Sequence, residues 1–352
     1  MKILKYLLFP FSLIYWSITA LRNKMYDSGF YGSTDFELPV ISVGNLSTGG
    51  TGKTPLVDYL INLLSENENI GVLSRGYRRK TVGFFLSPIS PDPKMIGDEP
   101  ALLKWKYPQI EVAVGEERVM AIPLLVGSNP ELSVIILDDA FQHRAARPWI
   151  SIITTSYQYP FWNDKLLPIG DLRESKSGHK RAHIIVVTNC PVSLSEKEKK
   201  EIKKSINSLN NQYILFSSVV YSEPYLLNNP SQKIVLNNSR DVLLFAGIGK
   251  PERLKNYVYS KVKSLKWLGF SDHHWYSARD IFQINELSKK GNSKKIILTT
   301  EKDAIRLYDL IPLLKKEEIE IYVLPIKMQF IENDGIVFDK LVKDSINYFR
   351  EK

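Results

Sequence analysis

Short apolar runs alternate with longer amphipathic ones along most of this chain. Val40–Val43, Ile70–Ser74, Val134–Leu137, Ile150–Thr154, Ile184–Thr188 and Tyr213–Val220 are apolar runs of strand length. Between them, Pro55–Leu64, Pro100–Lys106 and the charged Ser195–Leu209 carry helical spacing. Continuous apolar runs, rather than strict alternation, suit parallel strands covered by helices on both faces. The pattern predicts a doubly wound α/β layer with a mainly parallel sheet. A second set begins near Val242, with strands over Val242–Ala246, Leu265–Phe270, Lys295–Thr299 and Ile321–Pro325. Its helices start at Pro251 and lie near Ser277–Lys289 and Leu341–Arg350. The polar stretch Leu226–Arg240, rich in Asn and holding Pro230, reads as the joint between the two sets.

One segment stands outside this alternation. Tyr6–Leu21 carries no formal charge and is flanked by Lys2 and Lys5 before it and Arg22 and Lys24 after it. As a helix it reaches about 24 Å, short of a ~30 Å hydrocarbon core. Pro10 would disturb a continuous span, and no A-x-A-like cleavage site follows. The segment reads as a helix lying in a membrane interface, with Tyr15 and Trp16 at headgroup depth. The alternatives are a helix packed on the protein body and a true single span. An interfacial anchor should matter more for substrate presented in a bilayer than for substrate dispersed in detergent.

The first strand leads into Ser47-Thr48-Gly49-Gly50-Thr51-Gly52-Lys53-Thr54, and a helix follows. Strand, glycine loop, Lys-Thr and helix is the context of a phosphate-binding P-loop. Glycines let backbone N–H groups turn inward on phosphate oxygens, and the helix N-terminus adds about half a positive charge. Lys53 would reach the β- and γ-phosphates, and Thr54 would hold Mg²⁺. The first glycine of G-x-x-x-x-G-K-[ST] falls at Ser47, so Gly49 and Gly50 do the bending.

Other segments offer chemistry with open alternatives. Val134–Asp139 is an apolar strand ending in two carboxylates, Asp138 and Asp139, which downstream of a P-loop points to metal. Phe141-Gln142-His143-Arg144 follows at once. Asp98, in Gly97-Asp98-Glu99-Pro100, reads first as a helix N-cap. Arg75, Arg78, Arg79 and Lys80 either clamp phosphate or form a solvated basic loop. Asp272-His273-His274 suits proton handling or orientation; a metal site would need a third ligand. The Gly247/Gly249 pair reads as a strand-to-helix turn.

Composition narrows the partners only slightly. The chain has 352 residues and a formal net charge of +9, which favours anionic partners without choosing among them. No recognised nucleic-acid module is present, so no nucleic-acid partner is expected. The single cysteine, Cys190, excludes a disulfide framework or cysteine-based zinc site and reads as inert packing.

Together the segments resemble the tetraacyldisaccharide 4′-kinases of lipid A synthesis. The matching pieces are Val43–Leu46 leading into Ser47–Pro55, then Leu73–Tyr77, Gly97–Pro100, Leu137–His143, Leu172–Glu174, Phe270–His273 and Thr299–Asp303. Family members often have Gly where Arg78 stands and Pro where Asp171 stands, which bears on fine substrate contacts. The resemblance implies transfer of the ATP γ-phosphate to the 4′-hydroxyl of a tetraacylated glucosamine disaccharide 1-phosphate, giving lipid IVA. It implies a P-loop NTPase-type domain and a second, smaller α/β domain with the active site between them. It also implies ATP and Mg²⁺ as cofactors and peripheral or monotopic attachment to the cytoplasmic face of the bacterial inner membrane; from the basic-flanked segment an anionic membrane surface is the expected partner, and the chain is expected to act as a monomer.

By position, Asp98 becomes the catalytic base, His273 its orienting partner and Lys53 the third catalytic residue. Thr54, Asp138 and Asp139 serve the metal, while Arg75, Gln142, His143, Arg173 and Glu174 line the substrate site. Asp98 and His273 are expected to meet only when the cleft closes. The chain then divides into 1–25, an N-terminal membrane-associated helix; 26–225, the P-loop kinase domain; 226–240, the joint; and 241–352, the C-terminal α/β domain. The rival reading is a membrane-associated ATPase switch of the partitioning type, which also uses x-G-G-x-G-K-T. Such switches carry Lys just before the two glycines, where this chain has Thr48, and usually anchor through their C-terminus.

Overall fold

The structure, a computed structural model, describes residues 8–291 and 294–352. Lys2, Lys5 and the start of the N-terminal apolar segment lie outside the described residues. The strands in chain order are β1 (Val40–Asn45), β2 (Ile70–Ser74), β3 (Phe85–Leu86), β4 (Glu111–Val114), β5 (Val134–Asp138), β6 (Ile150–Ser156), β7 (Ile184–Thr188) and β8 (Tyr213–Tyr221). There follow β9 (Tyr225–Leu226), β10 (Asn229–Lys233), β11 (Asp241–Ala246), β12 (Ser264–Gly269), β13 (Ile296–Thr300), β14 (Ile321–Leu324) and β15 (Ile326–Phe330). The helices are α1 (Phe9–Asp27), α2 (Lys53–Leu64), α3 (Pro93–Ile96), α4 (Asp98–Lys106), α5 (Arg118–Ser128) and α6 (Glu196–Ile206). They continue with α7 (Glu252–Tyr259), α8 (Ala278–Lys289), α9 (Glu301–Arg306), α10 (Ile311–Lys316) and α11 (Asp334–Arg350).

Among the described residues these strands form a nine-stranded sheet, β15-β8-β7-β6-β1-β5-β2-β4-β3, and a six-stranded one, β10-β9-β14-β13-β11-β12. In the first, β4-β2-β5-β1-β6-β7-β8 run parallel, and only the edge strands β3 and β15 are antiparallel. Every residue of β1, β5 and β7 is buried, which the continuous apolar runs require. On one face, Leu56 and Leu60 of α2 and Phe338 and Val342 of α11 pack with Ile41 and Ile136. On the other, Ile122 and Leu125 of α5 pack on Leu73 and Ile135. Each such side chain contributes about 1.5–3 kcal/mol on burial. Strand β1 lies between β5 and β6, so the loop after it opens where the connections diverge, the usual place for a ligand crevice.

The structure departs from the sequence reading at the joint. Tyr225–Lys233 is not a linker: β9 pairs antiparallel with β14, and β10 with β9. Asn229, Pro230 and Ser231 look like turn residues, but β10 is an exposed edge, where Pro and polar side chains are tolerated. The chain instead crosses between sheets at 222–224 and at Pro325, and Ser222 N–H donates to the Pro325 carbonyl at 3.0 Å. After Pro325, β15 returns beside β8 and α11 covers the first sheet, so 241–352 is not one packing unit. Strand β4 and helix α5 carry little signal in the sequence, because β4 is only four residues long and Pro123 sits inside α5.

Helix α1 starts at Phe9, so Pro10 falls in the first turn, where it leaves no hydrogen bond unmade. It runs past Leu21 to Asp27. Its exposed face carries Phe11, Ile14, Ile18 and Leu21, at helical spacing and 58–62% exposed. Two of its polar residues reach the body: Ser12 donates to the Leu166 carbonyl at 3.2 Å and Tyr15 to the Arg173 carbonyl at 2.7 Å. Among the described residues no helix is long and apolar enough to cross a membrane.

Candidate active site

The glycine loop is held from behind and open in front. Asn45, the last residue of β1, donates to the Thr51 hydroxyl at 2.8 Å, and Thr154 shares a 2.8 Å hydrogen bond with that hydroxyl. Thr188, at the end of β7, donates to the Thr51 carbonyl at 2.7 Å. Gly52 sits at φ +87° as the N-cap of α2, and a Cβ there would meet Thr188 at 3.1 Å. Around Gly49 and Gly50 a Cβ would meet nothing within 4 Å, so backbone N–H groups remain approachable. Ser47 and Thr48 are stitched to the 171–173 segment: Thr48 N–H donates to the Asp171 carbonyl at 2.7 Å and Arg173 N–H to the Leu46 carbonyl at 2.8 Å.

Lys53 opens α2 with its ammonium 3.4 Å from Asp139. Arg173 grips the same carboxylate with three hydrogen bonds of 2.9, 3.1 and 3.1 Å. Asp139 stands at φ +52°, a left-handed backbone that Asp tolerates. Asp138 differs. It is 1% exposed, its Oδ2 accepts from Ser74 at 3.3 Å, and its Oδ1 is buried with no partner. Burial, reinforced by Glu99 and Asp139, pushes its carboxyl up to about 7. An orphaned buried oxygen beside the P-loop is a place for a cation. Among the described residues no cluster of three or more His, Cys, Asp and Glu could hold a metal alone.

The N-terminus of α4 carries the second half of the site. Gly97 stands at φ +90°, where a Cβ would strike the Tyr77 carbonyl oxygen at 2.9 Å. It is the N-cap, and no side chain caps the helix, so the reading of Asp98 as a cap fails. Asp98 points instead at the second sheet. Its Oδ2 lies 2.9 Å from His273 Nδ1 and accepts from Arg306 Nε at 2.9 Å and Nη2 at 2.7 Å. The dyad is therefore already formed and does not wait for closure. Arg306 also donates to the Gly247 carbonyl and to Asp303 Oδ1, each at 3.0 Å. His273 sits at φ +61°, its N–H donating to the Gly247 carbonyl at 3.1 Å, so the glycine turn after β11 sets the dyad rather than a nucleotide. Glu99, next in α4, pairs with Lys302 at 2.5 Å. The Lys302 charge, against the cost of burial, holds its carboxyl down to about 2, with Lys53 and Thr54 also close enough to act on it. Glu99 thus links the dyad to the P-loop.

The remaining expected residues fall around this centre. Gln142 Nε2 donates to the Asn45 carbonyl at 2.9 Å and to Glu174 at 3.0 Å. Glu174, 3% exposed, takes two 2.9 Å hydrogen bonds from Arg181. Arg75 is exposed at the end of β2. Burial, with repulsion from Arg118 and Arg75, pushes the His143 imidazole down to about 4. Its ring is neutral in the fold, so its contribution to stability is present above the ordinary histidine value of about 6.5 and is lost as pH falls towards about 4. The melting temperature of the wild type should therefore fall more steeply than that of His143→Gln between about pH 7 and pH 4.5. Parallel profiles would place the ring in water.

Two residues escaped the sequence reading. Arg306 carries a signal in retrospect, since Asp303 and Arg306 are one helical turn apart in α9. Arg118 carries none. It is buried with Nε and Nη2 unpartnered, and burial lowers its guanidinium to about 10. Asp138 and Asp139 are the charges that act most strongly on it, with Arg75 opposing them. Arg78 stands at φ +60°, which explains why Gly suits that position, and Asp171 meets the P-loop mainly through its carbonyl. The paired His274 contacts Asp280 at 3.3 Å and takes no part in the centre. Burial pushes Cys190 up to about 12, so it is inert.

Known proteins match this arrangement along its whole length. A family model described as tetraacyldisaccharide-1-P 4′-kinase matches residues 4–346. A tetraacyldisaccharide 4′-kinase of Flavobacterium johnsoniae is 42% identical, with 95% of each chain covered. One from Bacteroides thetaiotaomicron is 40% identical over 98% of this chain and 93% of its own. The crystal structure of LpxK from Aquifex aeolicus in complex with ATP superposes with a TM-score of 0.73 at 29% identity, covering 97% of this chain and 99% of that one.

Proposed function

This chain belongs to the tetraacyldisaccharide-1-P 4′-kinase family, and we propose that Asp98 is the proton acceptor of its reaction. The enzyme transfers the γ-phosphate of ATP to the 4′-hydroxyl of an acylated glucosamine disaccharide 1-phosphate in lipid A synthesis. The observation that carries the assignment is the Asp98 carboxylate. Among the described residues its donors converge on Oδ2, leaving Oδ1 for a hydroxyl, and its neighbour Glu99 reaches the P-loop.

A sugar hydroxyl is a weak nucleophile at neutral pH, so the site must position it, take its proton and neutralise charge on the transferring group. Asp98 takes the proton while His273 and Arg306 hold the carboxylate and share its charge. Lys53 and the N–H groups of Ser47–Thr54 cradle the phosphates. Thr54, Asp138 and, once Lys53 and Arg173 turn towards phosphate, Asp139 would hold Mg²⁺. When bound, the ion draws charge from the β- and γ-phosphate oxygens. Arg75 and His143 would meet the anionic end of the acceptor, and Gln142 and Glu174 shape the wall beside it. Incubation with ATP and the acylated disaccharide 1-phosphate should yield the bisphosphorylated lipid. ATP hydrolysis without lipid product would point to the partitioning-type switch instead.

The surface reading rests on α1, whose apolar face is outward and whose polar face is docked. That inversion suits a helix resting on the cytoplasmic side of the inner membrane. The full chain should sediment with anionic vesicles, and removal of Met1–Arg22 should abolish this. Equal sedimentation of both forms would refute the anchor.

A further inference from the structure

The inward face of α1 does more than hold the helix down. Tyr15 donates to the Arg173 carbonyl at 2.7 Å, and Asn23 Nδ2 donates to Glu174 Oε2 at 2.9 Å. Arg22 donates to the Gln142 carbonyl at 2.9 Å, and Arg144 donates to the Asn23 carbonyl at 2.9 Å. With the Ser12 contact to Leu166, these bonds end on two segments, 142–144 and 166–174. Both segments carry residues of the phosphate site. Arg173 is pinned at its N–H by the Leu46 carbonyl and at its carbonyl by Tyr15, and its side chain grips Asp139. Glu174 is buried against Arg181, Gln142 and Asn23 together.

We propose that Tyr15 and Asn23 of α1 are positioning residues for phosphoryl transfer, holding the 173–174 segment so that Arg173 and Asp139 stay in register with the P-loop. A buried carboxylate with every donor in place fixes its loop; removal of one donor lets it shift, and a displacement of about 1 Å at a transfer site can cost up to about a hundredfold. Desolvation raises the Tyr15 phenol, so it stays a protonated donor. The helix is thereby both surface contact and part of the catalytic framework, and detergent-dispersed acceptor should feel its loss as well.

The test uses Tyr15→Phe, Asn23→Ala and Asn23→Asp in the full chain, with ATP and acceptor dispersed in non-ionic detergent. Tyr15→Phe and Asn23→Ala should each lower kcat about fivefold to tenfold, with KM for ATP and vesicle sedimentation unchanged and the melting temperature lowered by only about a few degrees. Asn23→Asp, nearly the same shape but carrying a charge against Glu174, should fall further than Asn23→Ala. Wild-type kcat in both Tyr15→Phe and Asn23→Ala would overturn the proposal. So would losses of kcat that merely follow a lowered melting temperature and ATP affinity, because a packing role predicts that pattern. The inference rests on the kinase reading. If that reading fails, no form yields lipid product; if only this inference fails, the variants still yield it, at the wild-type rate or with losses that follow stability and ATP affinity.

Discussion

Lys53→Ala should reduce phosphoryl transfer by roughly a hundredfold to a thousandfold, the range seen when one preorganised donor to developing charge is removed. The expected loss corresponds to about 2.7–4 kcal/mol of barrier. Lys53 is the first residue of α2, so its ammonium and the helix N-terminus act on one spot. The fold should survive, because Asp139 keeps the bidentate grip of Arg173 when Lys53 is gone. Transfer of labelled phosphate to the acceptor at saturating ATP, beside a thermal melt, measures both. Near-normal turnover in a folded Lys53→Ala protein would remove the P-loop assignment.

The second large effect concerns Asp98 and His273. Asp98→Asn should lower kcat by about a hundredfold or more with ATP affinity nearly unchanged, because the amide cannot accept the hydroxyl proton. Asn is the informative substitution here. Alanine would strip the buried Arg306 guanidinium of one of its two carboxylates and both hydrogen bonds to it, and the lost stability would obscure the chemistry. His273→Gln should also lower kcat, by about tenfold to a hundredfold, since it removes the imidazole from Asp98 but leaves both Arg306 bonds. Combined, the two changes should be little worse than Asp98→Asn alone, as residues acting through one carboxylate are not additive. Multiplicative losses would show independent roles. An active Asp98→Asn enzyme would leave the reaction without its base.

The legible parts of the site share a property: their partners are close in sequence. The strand β1, the glycine loop and α2 announce themselves in consecutive residues, and the φ of +87° at Gly52 is what the glycine there allows. The two carboxylates after β5 are equally local, but their roles are not. Asp138 and Asp139 are neighbours, yet one is buried with an oxygen left unpartnered while the other is held by Lys53 and Arg173. No window of sequence separates them. Asp98 illustrates the same limit, because its position at a helix start suggested a cap and only a contact 208 positions away, to Arg306, shows where the carboxylate goes.

By itself, the sequence determined the parallel α/β layering, the phosphate cradle and the family resemblance, because hydrophobic period, glycine placement and charged loop motifs act over a few residues. Tertiary structure alone decided which segments met. It returned β15 to the first sheet, where its alternating burial completes an edge that the β-period could not assign to either sheet. It brought His273 and Arg306 onto Asp98, and it turned the polar face of α1 inward and the apolar face outward. The physical reason is that hydrogen bonds to buried charges and the pairing of sheet edges depend on what lies across the fold. A chain of alternating strands and helices does not state that until it is packed.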